Sequence, residues 1–394
     1  MTQPIGTLRR VGVATAAALL LAASTASSET LDPELRSALD RLGPSDVVSV
    51  IVRFDGRPDL GRRAGEDRVR RRARLVRDAR AQSDASLREV EPLLSHPSVS
   101  RRADLWAING VALTANAEVI RALADDPGVA RISLDGVIEA PKTTMGDPAV
   151  AEWNLEAIRA PELWAAGHTG AGVVVASMDT GVDASHPDLA ASYRGGDNSW
   201  FDPYGEHPEP HDRNGHGTQA MGVVVGGSAG GSAIGVAPGA RWIAVKIFND
   251  GDEASLSAIH QGYQWLLDPD GDPETDDGAD IVNNSWSLQN IGDCSLEFEQ
   301  DLEMLRAAGV AVVFSGGNYG ANAGTSVSPA NNPSGFGVGF VTDTDTVHFT
   351  SSRGPSACDG GVYPRVVAPG VNVRTADLGA YWAWASGSSI AAPT

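Results

Sequence analysis

The sequence predicts a two-part α/β protein: a doubly wound parallel-sheet domain preceded by a small α+β domain. Three observations carry this. After Trp153, short apolar runs alternate with amphipathic stretches. Before it, the elements follow a β-α-β-β-α-β order. The charge balance also changes between the two parts. Residues 1–146 hold 21 Lys and Arg against 19 Asp and Glu, and residues 147–394 hold 9 against 31.

The N-terminal part reads as follows. Residues 46–54 (DVVSVIVRF) form a strand, and residues 62–94 an Arg-rich helix anchored by Leu75, Val76, Leu87 and Val90. Residues 103–115 suggest a hairpin. Residues 116–124 are helical with Asn116 as the cap, and residues 129–138 make a last strand. This order is that of a ferredoxin-like domain. Residues 140–147 (APKTTMGD) have the turn-rich composition of a linker.

In the second part, the runs 173–178, 241–247, 281–284 and 310–314 read as buried strands, with helices over 256–267 and 296–308. Such alternation implies a parallel sheet with its site at the C-terminal strand ends. At 394 residues the chain has room for both domains, and no apolar run is long enough to span a membrane. The N-terminus has the layout of a secretory signal: Arg9 and Arg10, an apolar stretch from Val11 to Ala23, then small residues with cleavage after Ala26 or Ser28. Export makes Cys294 and Cys358 a candidate disulfide. The strongly acidic second part argues against nucleic acid as a partner.

Three glycine-flanked polar residues stand in a fixed order. Asp179 follows an apolar strand, His216 lies in Asn214-Gly215-His216-Gly217-Thr218, and Ser389 lies in Gly387-Ser388-Ser389-Ile390-Ala391-Ala392-Pro393. A serine hydroxyl needs a base to take its proton, and the base needs a buried acceptor to fix its tautomer. Asp179, His216 and Ser389 supply that set. Ser389 would begin a helix whose N-terminal N–H groups face a developing negative charge.

These blocks resemble the subtilisin-like serine proteases. Asp179-Thr180-Gly181 with His186-Pro187-Asp188-Leu189, His216-Gly217-Thr218 and the Gly387–Pro393 block each match, with Ser388, Ile390 and Gln219 where the family usually has Thr, Met and His. The resemblance implies a secreted endopeptidase working through an acyl-enzyme, with polypeptide substrates and no cofactor needed for the chemistry. It points to Asn318 as the oxyanion-hole amide. Ser285, Trp286 and Ser287 would form one wall of the cleft and Ser315, Gly316 and Gly317 the other. Asp252 and Glu253 would favour basic substrate side chains. The alternative from another class is a non-catalytic pseudoprotease that binds peptides.

By the same resemblance, residues 1–28 are the signal, 29–140 an inhibitory chaperone propeptide acting in cis, 141–152 a linker with the processing site, and 153–394 the peptidase domain of a monomer. The acidic insert 268–280, with Asn283-Asn284-Ser285-Trp286, is most like the bacillopeptidase F-type branch. Asp268, Asp270, Asp272 and Asp276 make it a candidate structural calcium site. Only Ile390–Thr394 follow Ser389, about a turn and a half of helix. The expectation is therefore a precursor cut short at its C-terminus and inactive as this 394-residue chain.

Overall fold

The computed structural model describes residues 30–143 and 152–394. The signal-like segment lies outside the described residues, as does most of the expected linker. In the N-terminal unit, strands β1 (Val47–Phe54), β2 (Ser100–Leu105), β3 (Gly110–Asn116) and β4 (Val129–Leu134) form one antiparallel sheet in the order β2-β3-β1-β4. Helices α1 (Pro33–Leu39), α2 (Arg68–Leu94) and α3 (Ala117–Ala124) complete it. Asp67 caps α2 by accepting from the Arg70 N–H at 2.9 Å, and Asn116 caps α3 by accepting from Val119 at 3.1 Å.

Alternation along β1 sorts its side chains. Val50 and Val52 enter the unit's own core with Leu35, Leu113 and Ile132, whereas Ile51 faces a small cluster with Leu105 and Ile108. The expected strand over 129–138 is corrected. It breaks at Asp135-Gly136, and Val137–Glu139 (β5) leaves the sheet to pair antiparallel with Glu253–Ser255 (β9). The cause is a better set of partners. The Asp135 carboxylate accepts from the Ser257 N–H (2.9 Å) and Oγ–H (2.7 Å), capping the next helix, and the Gly136 carbonyl accepts from the Leu256 N–H at 2.9 Å.

The second unit opens with the short helices α4 (Trp153–Ala157) and α5 (Ala160–Ala165). Its main sheet comprises β6 (Val174–Asp179), β7 (Trp200–Phe201), β8 (Arg241–Lys246), β10 (Ile281–Asn284), β11 (Ala311–Ser315), β12 (Gly337–Val341) and β13 (Val366–Pro369). Their order is β13-β12-β11-β10-β6-β8-β7, and every pairing is parallel. Helices cover both faces. On one, α7 (Leu256–Leu267) and α8 (Glu299–Ala307) put Ile259, Tyr263 and Leu302 against Ala176, Met178 and Ile243. On the other, α6 (His216–Val225) puts Met221 and Val225 against Val175 and Trp242. The chain reverses its direction across the sheet between β6 and β10, so the crevice at the C-terminal ends of those strands is the expected place for a site. Cys294 and Cys358 are joined in a disulfide. Among the described residues no helix is long and apolar enough to cross a membrane.

Helix α2 binds the units together. Its later anchors Leu87 and Val90 lie in the N-terminal core, but Leu75, Val76 and Ala79 share the core of Tyr263 and Leu266. Its arginines meet the acidic insert. Arg68 pairs with Asp276 and Asp280, Arg77 with Glu274, and Arg80 with Asp268 at 2.7 Å. Arg72, 3% exposed along its side chain, pairs with Asp276 and donates to the Ala279 carbonyl at 2.6 Å. From β1, Arg53 pairs with Glu297 at 2.7 Å in a buried cluster with His260 and Asp301.

Burial decides which of these charges matter. Arg72→Ala in a Ser389→Ala background leaves the buried Ala279 carbonyl without this donor, while Asp276 keeps Arg68, so urea denaturation should show a loss of about 1–3 kcal/mol. Arg70→Ala, whose side chain is 76% exposed beside Asp67, should change stability by less than about 0.5 kcal/mol.

Candidate active site

Asp179 is the last residue of β6, and its side chain is fully buried. His216 is the first residue of α6. The two elements touch at their backbones: a Cβ on Gly217 would lie 2.1 Å from the Gly181 carbonyl oxygen, so only glycine permits this contact. That approach places His216 Nδ1 2.8 Å from Asp179 Oδ1. Burial by itself would lower the imidazole's pKa. The Asp179 charge and hydrogen bond outweigh it, with Asp212 adding to them, and the pKa is raised.

Asp212 is a residue that sequence reasoning missed. It is buried, and it accepts from Thr180 Oγ1, the Asn214 and Gly215 N–H groups, and both the N–H and Oγ1 of Thr218. It thereby ties the Asp179 turn to the first turn of α6. The one available signal was a carboxylate four residues before His216, near a helix N-terminus.

Ser389 lies in the short helix α9 (Ser388–Ala391). Its Oγ donates to the Ser285 carbonyl at 3.0 Å, and Ser285 Oγ donates back to the Ser389 carbonyl at 2.8 Å. The hydroxyl thus rests on β10's end rather than on His216. Ser388 Oγ accepts from the Gly317 N–H (3.0 Å) and donates to Asn318 Oδ1 (2.9 Å), which also accepts from the Ser388 N–H (2.9 Å). Asn318 is thereby fixed through its carbonyl oxygen.

A cleft of about 360 Å³ joins these groups: His216, Ser389, Asn318, Ser285, Ser287, Ser315 and Gly317 all line it. Trp286 lines it as well, with its 1% exposed indole packed on Phe298 and Phe314. Gly316 does not line it, and its carbonyl accepts from Tyr363 Oη at 2.7 Å. The end of the N-terminal unit also borders the cleft. Beyond β5, the Ala140 N–H donates to the Asp252 carbonyl at 2.7 Å, and residues 139–142 (EAPK) line the same space as His216 and Ser389. Asp252 turns its carboxylate to Asn214 Nδ2 at 3.0 Å, and Glu253 stands directly opposite Glu139.

The expected calcium ligands need correction. Asp272 accepts from the Glu274 N–H and Asp276 faces Arg68 and Arg72, so neither joins the others. Asp268, Asp270 and Asp277 are the carboxylates within 4.8 Å of one another. Asp268 is buried, and burial pushes its carboxyl up to about 6 despite Arg80.

The Subtilase family model (peptidase S8) matches residues 170–394. The chain belongs to the subtilase family. Bacillopeptidase F of Bacillus subtilis (strain 168) is 32% identical over 371 residues, covering 84% of this chain and 25% of its own length. That share exceeds what residues 170–394 can supply, so the likeness extends into the N-terminal unit. An alkaline protease of Alkalihalobacillus alcalophilus is 33% identical over 276 residues, 70% of this chain and 64% of its own. Subtilisin E of Bacillus subtilis (strain 168) is 30% identical over 288 residues, 73% and 68% respectively. The chain therefore spans a quarter of the first relative and about two thirds of the others.

The raised His216 pKa has a definite sign. Its contribution to stability is complete below the ordinary histidine value and is lost as pH rises through the folded value. An NMR titration of the Ser389→Ala chain should place His216 above an ordinary histidine. Asp179→Asn should bring it down.

Proposed function

We propose that this chain is the precursor of a secreted serine endopeptidase, held inactive by its own N-terminal unit until processed. The observation that carries the reading is the shared cleft: a buried Asp179–His216 pair, Ser389 and Asn318 around one space, with residues 139–142 entering it as a strand-paired peptide.

In this reading, Ser389 Oγ swings from the Ser285 carbonyl towards His216 and attacks the substrate carbonyl carbon as the imidazole takes its proton. The oxygen of the tetrahedral intermediate is met by the Ser389 N–H and the Asn318 amide. His216 then gives the proton to the leaving amine, an acyl-enzyme remains, and water releases it by the same steps. Asp179 holds the Nδ1–H tautomer throughout and steadies the imidazolium.

The N-terminal unit is assigned as a ferredoxin-like propeptide over residues 29–140. Its strand order and its basic helix on an acidic insert support this. The 253–255 edge, to which β5 is paired, is the place where an extended substrate would add as a strand. Secretion follows from the signal-like start and agrees with the disulfide. Structural calcium is the finer reading of the insert. Asp268, Asp270 and Asp277 offer the hard oxygen donors it requires, and Arg80 supplies their countercharge while the N-terminal unit is docked.

A fluorophosphonate probe on the processed enzyme should label Ser389, and Ser389→Ala should abolish labelling. An unlabelled, correctly processed enzyme would favour a peptide-binding pseudoprotease. Asn318→Ala should lower kcat at least about a hundredfold with little change in KM, the size known for the like asparagine of a subtilisin. Subsite preference can be read on the tail itself. Glu139→Lys replaces a like-charge pair opposite Glu253, so the separate propeptide should inhibit more tightly by about 0.5 kcal/mol, measured as Ki.

A further inference from the structure

Beside the cleft, and apart from every residue given a role above, His207, His211 and Asp250 each bring a ligand atom within 4.8 Å of the others. We propose that these three side chains form a binding site for a borderline divalent transition metal of the Zn²⁺ class, a site that ties together two loops flanking the cleft.

The donor set selects the metal. Two imidazoles and one carboxylate suit zinc and its neighbours, whereas calcium and magnesium prefer all-oxygen shells. The geometry is close to what coordination needs. His207 Nε2 stands 3.0 Å from Asp250 Oδ2. Bonds of about 2.0–2.1 Å to a tetrahedral ion require a donor separation of about 3.3 Å, so this pair would open by only a few tenths of an ångström. The His207 and His211 rings stack at 3.9 Å between centroids, 23° from parallel, which sets both imidazoles beside the same carboxylate.

The frame around the site is stiff. His207-Pro208-Glu209-Pro210-His211 holds two prolines, which fix φ and reduce the entropy lost on binding. Asp202 Oδ2 accepts from the His207 N–H at 2.9 Å, and the His207 carbonyl accepts from Trp200 Nε1 at 2.9 Å. The His211 carbonyl lies against Gly181, where a Cβ would be 1.9 Å away. Asp250 is braced by its N–H to Glu206 Oε2 (2.8 Å), and its Oδ1 faces the buried Lys246 ammonium at 3.3 Å, leaving Oδ2 for the metal. Three protein ligands leave a fourth position for water. Metal ligands bind in their deprotonated forms, so affinity rises with pH.

The consequence is local. His211 immediately precedes Asp212, which holds the turn before His216, and Asp250 lies in the loop leading to the 253–255 edge. An ion joining them would fix the spacing between the catalytic turn and the strand that receives peptide.

The test uses the full chain carrying Ser389→Ala, stripped with chelator and re-equilibrated with ZnCl₂. Zinc per chain after gel filtration and the visible spectrum with Co²⁺ are the readouts. The expected result is one equivalent of zinc and a Co²⁺ spectrum of tetrahedral intensity, both lost in His211→Ala and in Asp250→Asn, and both kept in Asp268→Asn. Zinc should also raise Tm in the parent and not in those two variants. His211 is exposed, so its replacement tests the site without disturbing the core. Sub-stoichiometric zinc in the parent, or a full equivalent retained by His211→Ala, would overturn the proposal.

Discussion

The site depends on one constraint: the turn after β6 and the first turn of α6 must meet backbone to backbone. Gly181 and Gly217 make that contact possible: a methyl group on Gly217 would lie 2.1 Å from the Gly181 carbonyl oxygen, and one on Gly181 would lie 1.9 Å from the His211 carbonyl oxygen. Once the two elements are this close, Asp179 Oδ1 accepts from the Thr180 N–H at 2.7 Å and meets His216 Nδ1 at 2.8 Å. Burial then strengthens their attraction. Asp212, saturated with hydrogen bonds from both sides of the junction, locks the arrangement. The chemistry is thus a property of a packing contact more than of the individual side chains.

A second dependence runs between the two units. The acidic insert meets a set of guanidinium groups. Arg68, Arg72, Arg77 and Arg80 lie along one helix face at spacings of three to five residues, and the insert answers with four carboxylates and two carbonyls. Much of this is solvent-exposed and gives specificity and register more than free energy. The apolar stretch Leu75-Val76, sealed against Tyr263 and Leu266, supplies the area. Division of labour of this kind suits a unit that docks in one register.

Register matters because the tail that follows β4 has a narrow path. Asp135 caps α7, Gly136 and Val137–Glu139 pair with the edge, and the next residues fall into the cleft. A strand that simply continued the N-terminal sheet, as alternation alone suggests, would have missed it.

The sequence by itself determined the layers. Runs such as Ile281–Asn284 and Leu256–Leu267 appear with the bounds that periodicity assigns, because burial on a parallel sheet leaves little choice of side chain. It also singled out Asp179, His216 and Ser389, since local glycine chemistry marks each turn, and the fold brings His216 and Ser389 to one cleft with Asp179 behind the imidazole. Only the tertiary structure decided which groups share a space. Trp286 both borders the cleft and packs its indole on Phe298 and Phe314, because a large aromatic gains most when buried. Asp276 met arginines instead of joining Asp268, and Asp277 took its place, because ligand grouping depends on loop path and not on spacing. The Asp212 contacts and the His207–His211–Asp250 cluster were likewise invisible. Each joins residues whose proximity is fixed by how loops cross above the sheet, and no local pattern encodes that.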